Sequence, residues 1–329
     1  MSKCNGRARI LAVALAGLML VAGGAALHAQ ARYPERPVRI VLPYGPGGVA
    51  DVTMRLVAQQ LSDRMGKNFY IENRPGAGGI IAGRAVLSSA ADGYTFFLTG
   101  NGNAISESLF KSLPYSMDKD FTSVATLAQF EILLATNANS KLKSIADVVA
   151  AAKARPGKVN FGTIATGSTQ NLSAELFRMT TGIKVTMVPY HTTPELMNAI
   201  TRGDVDVGFD YFAAMRPMID AKKIRVIATT GEAPDPRLPG VPTVKASGYP
   251  DYVVTSWNAV SARMGTPKDI INKVNGEINA ILKTDLIKSR MAQLGMEPYI
   301  STPAQMDARM RDDAAKWRVV IDKAGIPKM

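Results

Sequence analysis

Tyr44-Gly45-Pro46-Gly47-Gly48-Val49-Ala50-Asp51 is the stretch whose reading decides the fold. An apolar, strand-like run from Val38 to Leu42 leads into it. Met54, Val57, Ala58, Leu61 and Met65 follow at spacings of three and four, which predicts an amphipathic helix on the far side. Asp51 suits the N-cap or the first turn of that helix. A Gly-rich turn between a strand and a helix start aims free backbone N–H groups and the positive end of the helix dipole at one point, which is a generic anion site. No Gly-Lys-Ser/Thr follows, so this is not a Walker loop, and Gly-x-Gly-x-x-Gly is absent, so it is not a dinucleotide fingerprint. Read alone, the stretch is at least as readily a plain strand-to-helix turn. The rest of the chain favours the binding reading.

The arrangement recurs. Phe69 to Asn73 reads as a strand, and Arg74-Pro75-Gly76-Ala77-Gly78-Gly79 feeds a helix from about Ile80 to Ser89. Tyr94 to Thr99 is a strand ending in Gly100-Asn101-Gly102-Asn103, which opens a helix towards Phe110. A second unit begins near Glu131, with a strand at Ile132 to Ala135 and a helix capped by Ser144. Val159 to Ile164 leads into Ala165-Thr166-Gly167-Ser168-Thr169-Gln170-Asn171 and a helix marked by Leu172, Leu176, Phe177 and Met179. Strands at Val185 to Tyr190, Val205 to Phe209 and Arg225 to Thr230 continue, with helices starting near Pro194 and Phe212. After a β-like run from Val253 to Val260, helices over Pro267 to Lys283, Asp285 to Leu294 and Pro303 to Lys323 close the chain and are expected to cover the first lobe. Strand–helix alternation predicts an α/β fold of mainly parallel sheets, whose ligands sit outside the carboxyl ends of the strands. Two such units with Gly-rich loops facing each other describe a hinged binding protein.

Residues 1–31 are set apart as a signal peptide. Lys3, Arg7 and Arg9 precede an apolar run from Ile10 to Leu27, and Ala29-Gln30-Ala31 fits a cleavage site. The expected lobes are then 32–131 with 250–329, and 132–249. The formal charge is +12, and the leader carries three of those cations and no acid. Lys and Arg are scattered without basic-aromatic clusters, which argues against nucleic acid and leaves attraction of small anions or a merely soluble basic surface. Cys4, in the leader, is the only cysteine, so a thiol nucleophile and Cys-bound zinc are excluded from the remainder. An exported, cysteine-free chain points to the periplasm.

His191 is the only histidine beyond the leader, so no His-rich metal site is expected, nor any cofactor. A Ser168, His191 and Asp210 set can be written, but Ser168 is followed by Thr169-Gln170 and the Gly-x-Ser-x-Gly elbow is missing. A hydrolase is the minor alternative. Asp210 either reaches the cleft or caps the next helix. Tyr44 is open between cleft and packing, and Arg74 between anion contact and a structural hydrogen bond.

Several motifs together resemble one family. Tyr33-Pro34-Glu35-Arg36-Pro37-Val38-Arg39-Ile40-Val41 opens the likeness, followed by Pro43 to Gly48 with Asp51, Arg74 to Gly79, Asp92-Gly93-Tyr94-Thr95 and Leu113-Pro114-Tyr115. Leu238 to Val244, Ser256-Trp257 and Gly265-Thr266-Pro267 complete it. The chain resembles the Bug-type periplasmic solute-binding receptors of tripartite tricarboxylate transporters over nearly all of its length beyond the leader. The resemblance implies a two-lobed, type II-like Venus flytrap, a monomer without catalysis, that captures a small carboxylate and delivers it to membrane transporter subunits. A receptor that signals instead of feeding transport is the alternative. One carboxylate is expected between Tyr44, Gly47, Gly48, Val49, Ala50 and Asp51 of the first loop and Ala165, Thr166, Gly167, Ser168, Thr169, Gln170 and Asn171 of the second, with Asn101, His191, Thr192, Asp210 and Phe212 around it. The chain departs from the family in the second lobe. His191-Thr192-Thr193 replaces a basic residue and two glycines, and Asn171 and Asn103 stand where most members have His. Tyr190, His191, Tyr211, Phe212 and Arg216 would then suit a flatter ligand, an aromatic carboxylate or a dicarboxylate.

Overall fold

The computed structural model describes residues 33–329, so the expected leader lies outside the described residues. Arg36–Met329 forms one compact unit. Its strands are β1 (Val38–Leu42), β2 (Phe69–Asn73), β3 (Thr95–Gly100), β4 (Phe121–Asn137), β5 (Asn160–Ile164), β6 (Thr186–Tyr190), β7 (Val207–Tyr211), β8 (Ile224–Thr229), β9 (Thr255–Arg263) and β10 (Glu297–Pro298). Its helices are α1 (Val49–Met65), α2 (Ile80–Leu87), α3 (Asn101–Leu109), α4 (Met117–Asp120), α5 (Ile145–Ala154), α6 (Thr169–Thr181), α7 (Thr193–Arg202), α8 (Phe212–Asp220), α9 (Lys268–Leu282), α10 (Asp285–Gln293) and α11 (Pro303–Ala324).

The strands form two sheets that share β4. In the first, β2, β1 and β3 are parallel, and β9 lies antiparallel between β3 and β4. In the second, β5 is parallel to β6 and β7, while β4 is antiparallel to β7 and β8. This is the expected α/β architecture of a two-lobed binding protein. The carboxyl ends of β1, β3, β5, β6 and β7 each lead into a helix start, which places the small-residue loops where ligands bind in such sheets.

The sequence pattern places a strand at Ile132 to Ala135, but β4 is one strand of 17 residues. Nearly every position from Phe121 to Phe130 is buried, so the polar–apolar alternation that marks a half-exposed strand is missing there. Thr230 fastens the crossing between the sheets. Its hydroxyl donates to the Val254 carbonyl at 2.6 Å and accepts the Ile132 N–H at 3.0 Å.

Phe161, Phe177, Phe209 and Tyr252 centre the core of the second sheet, with the Phe161 and Phe209 rings 5.3 Å apart. Truncating Phe177 there to alanine would cost about 3–5 kcal/mol. Trp317 and Ile321 of α11 and Leu109 of α3 belong to the same cluster. The last helix therefore does not only cover the first sheet, as its sequence position suggests, but also packs into the core of the second. Among the described residues no helix is long and apolar enough to cross a membrane, and no group of three or more His, Cys, Asp or Glu is placed to hold a metal ion.

Candidate functional site

The first loop is built around one carboxylate. Gly47 adopts a left-handed φ of 85°, Gly48 is the N-cap of α1 without a capping side chain, and Asp51 is the third helical residue. Asp51 turns back and accepts the Gly47 N–H at 2.9 Å. It also accepts Arg55 Nε and Asn73 Nδ2, each at 2.9 Å, and the same Asn73 amide donates to the Tyr44 carbonyl. Burial by itself would raise the Asp51 carboxyl, but the hydrogen bonds from Arg55, Gly47 and Asn73 outweigh it and hold it at about 2. Gly47 and Asp51, expected to meet the ligand, are thus engaged with each other and shape the loop. What the loop offers outward is backbone. A Cβ added at Gly45, Gly47 or Gly48 would meet nothing within 4 Å, and the N–H groups of Gly48, Val49 and Ala50 open the helix with no partner four residues back.

The second loop repeats the turn. Gly167 has φ 82°, Ser168 is the N-cap of α6, and Asn171 Oδ1 accepts the Gly167 N–H at 3.1 Å. Here the side chains are spent on the protein itself. The Ser168 hydroxyl accepts the Asn171 N–H at 3.1 Å and donates to the Ile164 carbonyl at 3.2 Å. Asn171 Nδ2 donates to the Thr163 hydroxyl. Thr169 Oγ1 accepts Asn101 Nδ2 at 2.9 Å, and Asn101 Oδ1 accepts Trp317 Nε1 at 2.8 Å, which ties α3 and α11 to the start of α6.

Asp210 is a hub. Its Oδ1 accepts Gln170 Nε2 at 3.0 Å and the Tyr211 N–H at 2.8 Å, and its Oδ2 accepts the Thr193 hydroxyl at 3.1 Å. One carboxylate thereby joins the starts of α6, α7 and α8. It is 1 % exposed, and that burial pushes it up against the three hydrogen bonds that favour the ionised form. It does not cap α8, whose N-cap Tyr211 makes no side-chain cap bond, and it serves as a tie between the three helix starts.

Tyr44, the Gly76–Gly79 turn, Gly102 and Asn103 at the start of α3, and Ala165–Thr169 line one cavity of about 460 Å³. Its apolar side comes from Ile105, Leu109 and Phe110, which the sequence reading did not single out. Only their helical approach to the turns brings them in. Two other hollows, of about 350 and 610 Å³, lie away from both loops.

Residues 53–326 match the family described as the tripartite tricarboxylate transporter family receptor. The chain belongs to that family. It is similar to protein BugT of Bordetella pertussis, 34% identical over 96% of this chain and 98% of the relative. Among solved structures it resembles an R. palustris protein solved with adipate, at 34% identity and a TM-score of 0.78, covering 89% of this chain and 98% of that one. It also resembles MatC from Rhodopseudomonas palustris with bound malate, at 27% identity and a TM-score of 0.74, covering 88% of this chain and all of that one.

In this receptor chain His191, Thr192 and Phe212 are not among the residues lining the cavity beside the loops. His191 is exposed and its N–H donates to Glu195 Oε2 at 3.1 Å, while Thr192 caps α7. Phe212 lies under the Arg237 guanidinium, 4.9 Å from its carbon, and packs on Gly295, where a Cβ would come within 2.7 Å of it. Arg216 donates to the Gln293 carbonyl at 3.0 Å. The Phe212 ring is thus engaged with Arg237 and Gly295, while His191 is tied only through its backbone and leaves its imidazole exposed. Arg74 pairs with Glu72, on the first sheet. No hydrogen bond joins Ser168, His191 and Asp210, and the Ser168 hydroxyl is already donated to a carbonyl.

Proposed function

We propose that this chain is an exported, monomeric receptor that captures a small carboxylate between its two lobes and passes it to the membrane subunits of a tripartite transporter. The observation that carries the reading is the first loop. It is a clasped, solvent-open row of N–H groups at a helix start with no side chain competing for them. A carboxylate leaving water needs several donors, and charge-assisted bonds from backbone N–H groups at a helix start supply them without a cationic side chain. The relatives solved with adipate and malate support a carboxylate as the ligand class. The leader at 1–31 supplies export. The lobes 32–131 with 250–329, and 132–249, hinge where β4 passes from one sheet to the other. A ligand touching both lobes favours the closed state by its differential affinity.

A thermal-shift screen of mono-, di- and tricarboxylates tests the reading, since a ligand that binds only the native state raises the unfolding midpoint. A carboxylate that raises the midpoint and compacts the protein in small-angle scattering is the expected result. A screen in which no carboxylate moves the midpoint would sink it.

A further inference from the structure

The cavity beside the loops has a chemical character that bears on the ligand. No Lys, Arg, His, Asp or Glu lines it. Four of the polar side chains on its wall already have partners: Asn103 Oδ1 accepts the Gly100 N–H, the Ser106 hydroxyl donates to the Gly102 carbonyl, and Ser168 and Thr169 are bonded as described. The apolar wall presses directly on the turns. A Cβ at Gly78 would come within 2.6 Å of the Phe110 ring, and one at Gly167 within 2.5 Å of Leu109. Both glycines also hold left-handed backbone, at φ 61° and 82°. Two glycine turns thus seat two hydrocarbon side chains, Phe110 on Gly78 and Leu109 on Gly167.

We propose that this chamber holds the hydrocarbon end of the ligand, which makes the ligand a monocarboxylate with an aliphatic chain or a single aromatic ring. The inference rests on the receptor reading and extends it. Tyr44, which opens the first loop, and Ala165–Thr169 of the second both border the chamber, so a tail placed there can extend from a head group held at the first loop. A second carboxylate in the chamber would leave water with no cationic side chain to pair with and with Asn103, Ser106, Ser168 and Thr169 already bonded, which is costly. A cavity of about 150 Å³ holds a benzene molecule, so roughly 460 Å³ has room for a ring and its linker. The flat ligand suggested by the sequence then finds its apolar contacts at Leu109 and Phe110 and not at His191 and Phe212.

Titration calorimetry on the leader-free protein tests this with butyrate, hexanoate, phenylacetate, succinate, malate and citrate. Affinity is expected to rise about fourfold per added methylene from butyrate to hexanoate, with phenylacetate above the di- and tricarboxylates. Phe110→Gln is expected to lower the hexanoate-to-butyrate affinity ratio about tenfold. Ala77→Asn is the second variant if Phe110→Gln fails to fold, because Ala77 is exposed at φ 46°, a conformation asparagine tolerates. It should lower the same ratio by adding polar bulk at the chamber mouth. Binding of succinate, malate or citrate with no gain from longer apolar tails overturns the chamber proposal and leaves the receptor reading standing. Binding of none of the six acids overturns both.

Discussion

The loops at Gly47–Asp51 and Gly167–Asn171 share one backbone device and use it differently. In each, a left-handed glycine gives its N–H to the side chain four residues on, just inside a helix. In the first loop that side chain is a carboxylate with an arginine and an asparagine behind it, and the N-cap is a bare glycine. In the second it is a neutral amide, and the N-cap serine closes its own helix. A charged clasp frees the first loop from needing any other side chain, so its N–H groups face outward. The neutral loop is held by bonds to Asn101, Asp210 and Thr163, which makes it a rigid wall more than a source of donors.

This contrast can be broken at the clasps. Asp51→Ala leaves the Gly47 N–H, Arg55 and Asn73 without their acceptor and is expected to cost about 2–4 kcal/mol in urea unfolding, with loss of carboxylate binding. Asn171→Ala removes only neutral bonds and should cost about 1–2 kcal/mol. Equal costs would remove the distinction between the loops.

Acid gives a second handle. The Asp51 carboxyl lies below its ordinary value of 3.8, at about 2, so its contribution to stability is complete above the ordinary value and is lost as pH falls towards 2. Asp51→Asn should flatten that part of the acid unfolding curve. Asp210 acts with the opposite sign. Its carboxyl is raised in the fold, so the folded chain binds a proton more strongly than the unfolded one, and stability falls as pH climbs from the ordinary carboxyl value to the raised one. Asp210→Asn should fold and lose that dependence, whereas Asp210→Ala unhooks Gln170, Thr193 and the Tyr211 N–H and should be clearly less stable. Asn101→Ala should cost about 1–3 kcal/mol, since it cuts one neutral tie between α3 and α6 and leaves the buried Trp317 Nε1 without its acceptor.

The strand–loop–helix order and the place of Asp51 in a first turn were legible, because each is written in local spacing and in glycines beside a helix start. The family was legible from motifs spread along the chain. The use of individual side chains was not. Asp210 meets Gln170 and Thr193 across separate strand–helix connections, and Phe212 meets Gly295 from the other end of the chain. No local pattern encodes those meetings. Phe110 looked like the end of a short helix, and only the approach of α3 to two glycine turns makes it a cavity wall. The continuous strand β4 was hidden for a different reason, since a strand buried on both faces has no alternation to read.

In the proposed receptor, bare N–H groups at the start of α1 hold the carboxylate. Amide ¹⁵N–¹H spectra of residues 32–329, titrated with a binding carboxylate, test it most directly. The Gly48, Val49 and Ala50 amides should shift strongly, and the Gly47 and Gly167 amides, already given to Asp51 and Asn171, should move little. A ligand that binds while Gly48, Val49 and Ala50 stay unmoved would contradict it.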